Sequence, residues 1–579
     1  MTQTDTTAQM SLRATMAAIG LLAGLALWAL HDWVVDLDNL SHGQIVLLAF
    51  AWGFTTVWLL LTGPLTAKTA GLIALCQAGI AALLLGAALL RYDSGDLSTT
   101  AAPSFAALWV LLLIPLPFIL AWQRENTRLD NYEVLFFESW AGFVRILASV
   151  FFVGVTWILI LLSNTVLGLV GLTIIEDFLE FDPVPWAITG TATGLALAVA
   201  YEFRAFISPF LLQRLLRLFV PVIFAVAALF LVGLAVRGLG FLPDQFSTAT
   251  ILMGFSAVIA SVITVSVDTN EDGAVQGLVM QTLVRALCAA LLIFTLLSLW
   301  AVWTRVATYG WTPQRVWAAL FAALSLGYGL LYGAAALRSS WQASIRRANI
   351  YKAGALVALF ALVLTPVINP ERISAKSQLA RWTAGEVELD DLALWEMQNE
   401  WGKAGVTAIQ SLKTSSDAAL LERIALAEDH SSKYAFRSAL REEKETMEGP
   451  SQIQQIEEAL VVLPEGAALP DGVLELIRPR ERRALAKACT LSQTSTEPTV
   501  NCLAIVEAFD ANSPRVFFAW RQSADAKALW IVTKDGVARS HIQTILQLDS
   551  FNALAQGNYS LEPLELQGLR VGDRLITPF

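Results

Sequence analysis

Charge is what this sequence has least of. Only 15% of its 579 residues are Asp, Glu, Lys or Arg, and 56% are hydrophobic. A soluble chain carries about 25% charged residues. The deficit is uneven: residues 1–370 are nearly charge-free in long blocks, and residues 371–579 have ordinary charge density. That pattern reads as a membrane region followed by an appended domain. The net charge of −10 lies mostly in the tail, and an acidic tail excludes nucleic acid as a partner. Four Cys and four His are too few for a cysteine-rich metal array. The metalloprotease H-E-x-x-H, the hydrolase G-x-S-x-G, the Walker-type G-x-x-x-x-G-K-[ST] and a post-strand G-x-G-x-x-G are all missing. No catalytic, cofactor-binding or metal-ligating residue is therefore assigned, and no cofactor is expected. The opening MTQTDTTAQM lacks the basic run and cleavage site of a secretory signal, so the first apolar segment reads as a retained helix.

What is present is hydrophobic length. About 20 apolar residues cross roughly 30 Å of hydrocarbon. By that rule about eleven segments qualify: Ala14–Leu30, Gln44–Leu61, Thr69–Leu90, Phe105–Trp122, Phe143–Gly171, Trp186–Tyr201, Leu218–Val236, Thr248–Val267, Thr282–Trp303, Arg315–Leu337 and Tyr351–Ile368. Trp28, Trp58, Trp122, Trp186, Trp300, Trp303, Trp311 and Trp317 fall near segment ends, where an aromatic belt places them. With the N-terminus inside, the inside connections hold about thirteen basic residues against about four outside. Lys68, Arg124, Arg128, Arg145, Arg204, Arg214, Arg217, Arg338, Arg346, Arg347 and Lys352 are among the inside set. An odd number of spans then sends the tail outside.

The expected fold is an α-helical polytopic membrane bundle of about 11 transmembrane helices, followed by an α+β extramembrane domain. It divides into residues 1–136 (helices 1–4 and a basic cytoplasmic loop), 137–370 (helices 5–11) and 371–579 (the C-terminal domain). The expected location is the bacterial inner membrane, with the N-terminus cytoplasmic and the C-terminal domain periplasmic. In that compartment Cys489 and Cys502 can pair, closing a loop worth about 3 kcal/mol; two buried free thiols are the alternative. Cys76 and Cys288 lie in apolar helices and read as packing residues. In the tail, Glu371–Trp382, Leu389–Leu412, Asp417–Ala427, Gln452–Val461 and Gly472–Ala488 have helical spacing. Asn501–Phe509, Val516–Arg521 and Ala528–Thr533 read as strands, Lys534-Asp535-Gly536 as a turn, and RVGDRLITPF as a last strand. REEKETMEGPSQ reads as a polar connection.

Few features carry chemistry. Gln77 and the Ser163-Asn164-Thr165 cluster are the most polar points inside spans, and either line a cavity or bond between helices. Gly20 with Gly24, Gly190 with Gly194, and Gly329 with Gly333 have the G-x-x-x-G spacing that permits close helix approach. Ionisable residues deep in a span are nearly absent, which disfavours a proton-coupled carrier. Asp268-Thr269-Asn270-Glu271-Asp272-Gly273 fits half of a calcium loop, but Val279 stands where a bidentate Glu is needed, so it reads as a polar turn. His31 and His42 share a loop with Asp32, Asp36 and Asp38, which reads as a solvated acidic loop.

The most distinctive connection is YGWTPQRVW, Tyr309–Trp317. Thr312 can cap the next helix, with Pro313 at its first position. Tyr309, Trp311, Arg315 and Trp317 form a candidate contact for an anionic headgroup or a protein partner, or simply anchor a helix start. This loop, with NPERISAKSQLARWTAGEV from Asn369, resembles the bacterial multi-spanning membrane family catalogued as domain of unknown function 4153. In that family a hydrophobic region leads into an Arg-Ile-Ser-Ala-type helix. The counterpart here is Arg372-Ile373-Ser374-Ala375, followed by Gln378-Leu379-Ala380-Arg381. The resemblance covers Phe137 to Leu412. It implies a bacterial inner-membrane protein and brings no catalytic residues.

Three functions compete. The first is an envelope anchor or scaffold presenting a periplasmic domain to a periplasmic or membrane protein partner, with membrane lipids around its helices. The second is a transporter or lipid-handling permease that works through the bundle. The third is a membrane-embedded enzyme on lipid or glycan, for which Asp36, Asp38, His42 and Arg315 are the nearest to a site.

Overall fold

The computed structural model of the chain describes residues 3–34, 40–93, 102–123, 130–202, 214–238, 246–494, 500–507, 515–522, 525–534, 537–560, 569–571 and 574–576. Asp36, Asp38, Arg124, Arg128, Arg204, Asp535 and Gly536 lie outside the described residues. The chain forms two compact units, Met1–Asp429 and His430–Phe579. The composition changes at residue 370, but the stretch 371–429 groups with the helices before it.

Eleven stretches among the described residues are helical, long and apolar enough to cross a membrane, so the protein is multi-pass. In order the helices are α1 (Gln3–Val34), α2 (His42–Leu61), α3 (Ala67–Leu89), α4 (Ala102–Leu113), α5 (Leu116–Gln123), α6 (Tyr132–Gly168), the short α7 (Ile174–Leu179), α8 (Pro183–Glu202), α9 (Val220–Arg237), α10 (Phe246–Val267), α11 (Leu278–Tyr309), α12 (Pro313–Ala336) and α13 (Trp341–Leu364). Small polar residues start several of them. Ser41 and Gln44 form a capping box on α2, and the side chains of Thr66, Asn131 and Thr312 accept from the first turns of α3, α6 and α12. α11 stops at Gly310, whose φ of 73° suits glycine. α4 and α5 form one span broken at Pro115, which has no N–H to offer the Leu111 carbonyl.

Close packing in a membrane needs small residues, because lipid gives helices no hydrophobic reason to associate. α1 and α8 show this. A Cβ on Gly20 would lie 2.1 Å from the Gly190 carbonyl oxygen, and one on Gly194 would lie 2.1 Å from the Met16 oxygen. The two glycine pairs therefore meet each other. Arg13 Nε donates to Glu202 Oε2 at 2.9 Å and ties the same helices at one end. One buried cluster joins α9 to α13 through Ile259, Ile263, Leu291, Tyr332 and Ile345. A second joins α2, α3, α4 and α13 through Val57, Leu85, Leu112 and Leu364. α6 stands apart: Leu135, Phe136, Glu138, Arg145 and Ser149 are its buried residues, while Phe143, Leu147, Val150 and Phe151 are exposed, as lipid-facing residues are.

After the last span come α14 (Pro370–Thr383), α15 (Leu394–Asn399), α16 (Gly402–Leu412) and α17 (Ala418–Asp429). The single helix expected over Leu389–Leu412 is broken at Gly402, which has φ 51°. Its Cα lies so near the Arg91 carbonyl that a Cβ would come within 2.5 Å.

The second unit contains α18 (Lys433–Ala459), β1 (Val461–Leu463), α19 (Pro479–Thr494), β2 (Cys502–Glu507), β3 (Arg515–Gln522), β4 (Asp525–Lys534), β5 (Val537–Leu546), α20 (Leu548–Ala555), β6 (Leu569–Val571) and β7 (Arg574–Ile576). Strands β1 to β5 form one sheet in sequence order, with β1 parallel to β2 and the other pairs antiparallel. Alternation sorts its side chains. Cys502, Ala504, Phe518, Trp520 and Leu529 share a core with Ile456, Leu485 and Cys489 of α18 and α19. Leu503, Ile505, Ala519 and Ala528 pack with Phe551 of α20 on the opposite face. The stretch REEKETMEGPSQ is helical rather than a connection. It lies inside α18, which continues through Pro450. The final segment is a pair of short antiparallel strands, β6 and β7.

Candidate functional site

The two motifs that resemble the family pack against each other. The turn after α11 leaves the carbonyls of its last residues without helical partners. α14 supplies the donors. Gln378 Nε2 donates to the Tyr309 oxygen at 3.0 Å and the Trp311 oxygen at 3.1 Å. Arg381 donates to the Ala307 oxygen at 3.1 Å and the Thr308 oxygen at 2.8 Å, and the Trp311 N–H donates to Ser377 Oγ at 3.2 Å. Arg315 turns back onto the same turn, donating to the Tyr309 and Gly310 oxygens at 3.2 and 2.7 Å, with its guanidinium 5.4 Å from the Tyr309 ring centre. Trp317 is half-buried against Phe321 and Phe360. Arg315 and Trp317 are thus engaged within the unit, and Tyr309 keeps an exposed face.

A second arginine serves the end of α13. Arg91 donates to the carbonyls of Val363, Thr365 and Ile368 and faces Glu371 Oε2 at 3.6 Å. The Tyr92 hydroxyl donates to Glu371 Oε1 at 2.7 Å. Burial pushes the Arg91 guanidinium down from its usual value, against the pull of Glu371. Burial, with Glu371 adding to it, pushes the Tyr92 phenol well up, so it stays a donor.

Gln77 repairs the proline break. Its amide nitrogen donates to the Leu111 and Leu112 oxygens at 3.0 and 2.8 Å, the carbonyls beside the Pro115 kink. Ser163 and Thr165 are exposed on α6 and donate to their own helix, to the Leu159 and Leu161 oxygens; Asn164 is half-buried. The sulfurs of Cys489 and Cys502 are bonded at 2.09 Å, with Cα atoms 5.2 Å apart, inside the core of the second unit. Asp268 organises the turn after α10. Its carboxylate takes Arg217, while Arg346 donates to the Asp268 and Val267 carbonyls at 3.1 and 2.9 Å.

One polar constellation inside the helices was not read from the sequence. α13 turns Arg346, Asn349 and Lys352, spaced i, i+3, i+6, toward its neighbours. Lys352 is buried midway along α13, opposite the middle of α12. Its Nζ donates to the Leu324 oxygen at 2.7 Å and lies 4.8 Å from the Tyr328 ring centre. Gly327 makes the room, because a Cβ there would lie 2.4 Å from Nζ. This is a span-buried cation that counting charges had placed in a loop. Beside it a cleft of about 580 Å³ opens between α6, α10, α12 and α13. A hydroxyl and amide chain runs along its wall: Thr264 Oγ1 lies 2.9 Å from the Tyr332 hydroxyl, Tyr332 donates to Asn349 Oδ1, and Asn349 Nδ2 donates to the Tyr132 hydroxyl at 3.0 Å. Asn164 is not part of this cleft.

Comparison with known proteins returns neither a curated protein nor a solved structure that matches. One family does match, over residues 54–400. The match starts well before Phe137 and takes in α3 to α5, so the family's region includes both the cleft and the docked α14. The chain belongs to that family, described as a domain of unknown function (DUF4153).

Proposed function

We propose that the protein is an anchor of the bacterial inner membrane that presents its C-terminal part in the periplasm to a protein or envelope partner. In this reading residues 1–136 and 137–370 are the membrane anchor, and the extramembrane part begins at residue 371. The Cys489–Cys502 bond in the core of His430–Phe579 is the observation that carries it. Such bonds persist in oxidising compartments and are rare in the bacterial cytosol. The excess of Lys and Arg in the connections assigned inside supports the same orientation.

The topology is tested by a reporter fused after Phe579. An alkaline phosphatase fusion should be active and a cytoplasm-dependent fluorescent protein dark; the opposite pattern overturns the reading. A thiol-reactive mass tag on the denatured, unreduced protein should leave Cys489 and Cys502 unlabelled. The scaffold role is tested by a chain ending at Asp429, which keeps the eleven spans found among the described residues and α14 to α17. It should fail to complement a deletion strain, and full complementation would remove the role.

A further inference from the structure

We propose that the cleft between α6, α10, α12 and α13 is a binding site for one ester-linked membrane lipid, taken in by an acyl chain and held through an ester carbonyl. This goes beyond the anchoring reading and does not depend on it.

The cleft has the size of a small-molecule site, which runs about 300–1,000 Å³. Its walls are mostly rings and aliphatic groups, including Phe136, Trp140 and Phe321, so the bulk of the occupant is hydrocarbon. Its polar groups are donors. Along the wall, Thr264 gives its proton to the Ala260 carbonyl, Tyr332 gives to Asn349 and Asn349 gives to Tyr132, so the Tyr132 proton is left over. The hydroxyls of Ser325 and Tyr328, which also line the cleft, have no hydrogen-bond partner among the described residues. By contrast, Ser256 and Ser261 donate to their own helix.

None of the residues that line the cleft is Lys or Arg. Lys352 is held by the Leu324 carbonyl and the Tyr328 ring, Arg217 by Asp268, and Arg346 by backbone carbonyls. An occupant that brings acceptors without needing a free positive charge fits this set, and an ester carbonyl on an alkyl chain is that chemistry. α6 contributes Phe136 and Trp140 to the wall, and Phe143, Leu147 and Phe151 continue the same stripe of the helix at i+3 and i+4 spacing and are exposed. An apolar path along α6 therefore leads from the exposed surface to the cleft.

The test uses the full-length protein in detergent, titrated with diacyl phosphatidylglycerol or its dialkyl ether analogue and read by native mass spectrometry. The wild type should bind one diacyl lipid at a saturable site and the ether lipid about three- to tenfold more weakly, the effect of one hydrogen bond. Tyr132→Phe should weaken diacyl binding and narrow the ester-to-ether ratio, and Tyr132→Phe with Ser325→Ala and Tyr328→Phe should bind both lipids alike. Ala257→Trp, which fills the cleft, should lose the site. Equal wild-type affinity for ester and ether lipids overturns the proposal, as does the absence of a saturable diacyl site. Undiminished binding by Ala257→Trp also overturns it. Tyr132→Phe removes only one oxygen, so its ester-to-ether ratio remains readable if the larger variant fails to fold.

Discussion

Substituting Gly190 by alanine adds one methyl group within the close α1–α8 crossing. The new Cβ would lie 2.2 Å from the Gly20 carbonyl oxygen and 3.1 Å from the Gly24 Cα. Non-bonded carbons rest at about 3.5–4.0 Å, so the helices must part by roughly 1 Å along the crossing. Overpacking of this kind costs about 1–3 kcal/mol. Alanine returns up to about 1 kcal/mol in helix propensity. The net expectation is a loss of about 1–2 kcal/mol. Gly233→Ala is the control: it sits in α9, and no atom lies within 4 Å of the added Cβ. It should be neutral or raise stability by up to about 1 kcal/mol. The assay is the apparent unfolding temperature of the full-length protein in detergent, followed by tryptophan fluorescence. Gly190→Ala should melt below wild type and Gly233→Ala at or above it. If Gly190→Ala melts at or above wild type, or the two variants shift together, the crossing is not held by glycine contact.

Gln77→Leu should lower the unfolding temperature, because it strands the Leu111 and Leu112 carbonyls at a cost of about 1–3 kcal/mol. Adding Pro115→Ala restores a helical N–H and should recover part of that loss; no recovery would show that Gln77 serves another purpose. Gly327→Ala should destabilise the wild type but not a Lys352→Met background, with a coupling of about 0.5–3 kcal/mol in a double-mutant cycle. Strictly additive effects would refute the slot made for Lys352. Tyr92 has a folded pKa raised above its ordinary value of 10.0, so its contribution is complete below that value and is lost as pH climbs through the folded pKa. Tyr92→Phe should therefore flatten the alkaline limb of a stability-versus-pH curve measured from pH 7 to 11, and an unchanged limb would refute the assignment.

Much of the fold was legible because hydrophobic length is a property of the chain itself. All eleven spans follow from apolar runs, and the glycine pairs Gly20/Gly24 and Gly190/Gly194 announced a close crossing, though not which helices would meet. The β-rich runs Asn501–Phe509, Val516–Arg521 and Ala528–Thr533 announced three of the strands of the second unit, β2, β3 and β4. β1 was hidden by its length of three residues; of α18 only the end, Gln452–Val461, was read as helix, and its earlier part was hidden by a charged face that resembles a loop in a polar window. The site was much harder to read. Arg346 and Lys352 were counted as loop charges because a hydropathy window ends where charges begin; the spacing of Arg346, Asn349 and Lys352 on one helix face was the available signal. Ser163 and Thr165 misled in the opposite direction. A hydroxyl four residues from a helical carbonyl satisfies itself, so polarity on a span need not point inward.

The hold of α14 on the end of α11 makes chain length part of the fold. Gln378 and Arg381 reach four consecutive or near-consecutive carbonyls from Ala307 to Trp311, so neither segment can gain or lose a residue alone without every donor missing its acceptor. Insertions and deletions in this lineage should therefore collect elsewhere, and the boundary after Asp429, where one compact unit gives way to the next, is the natural place for them.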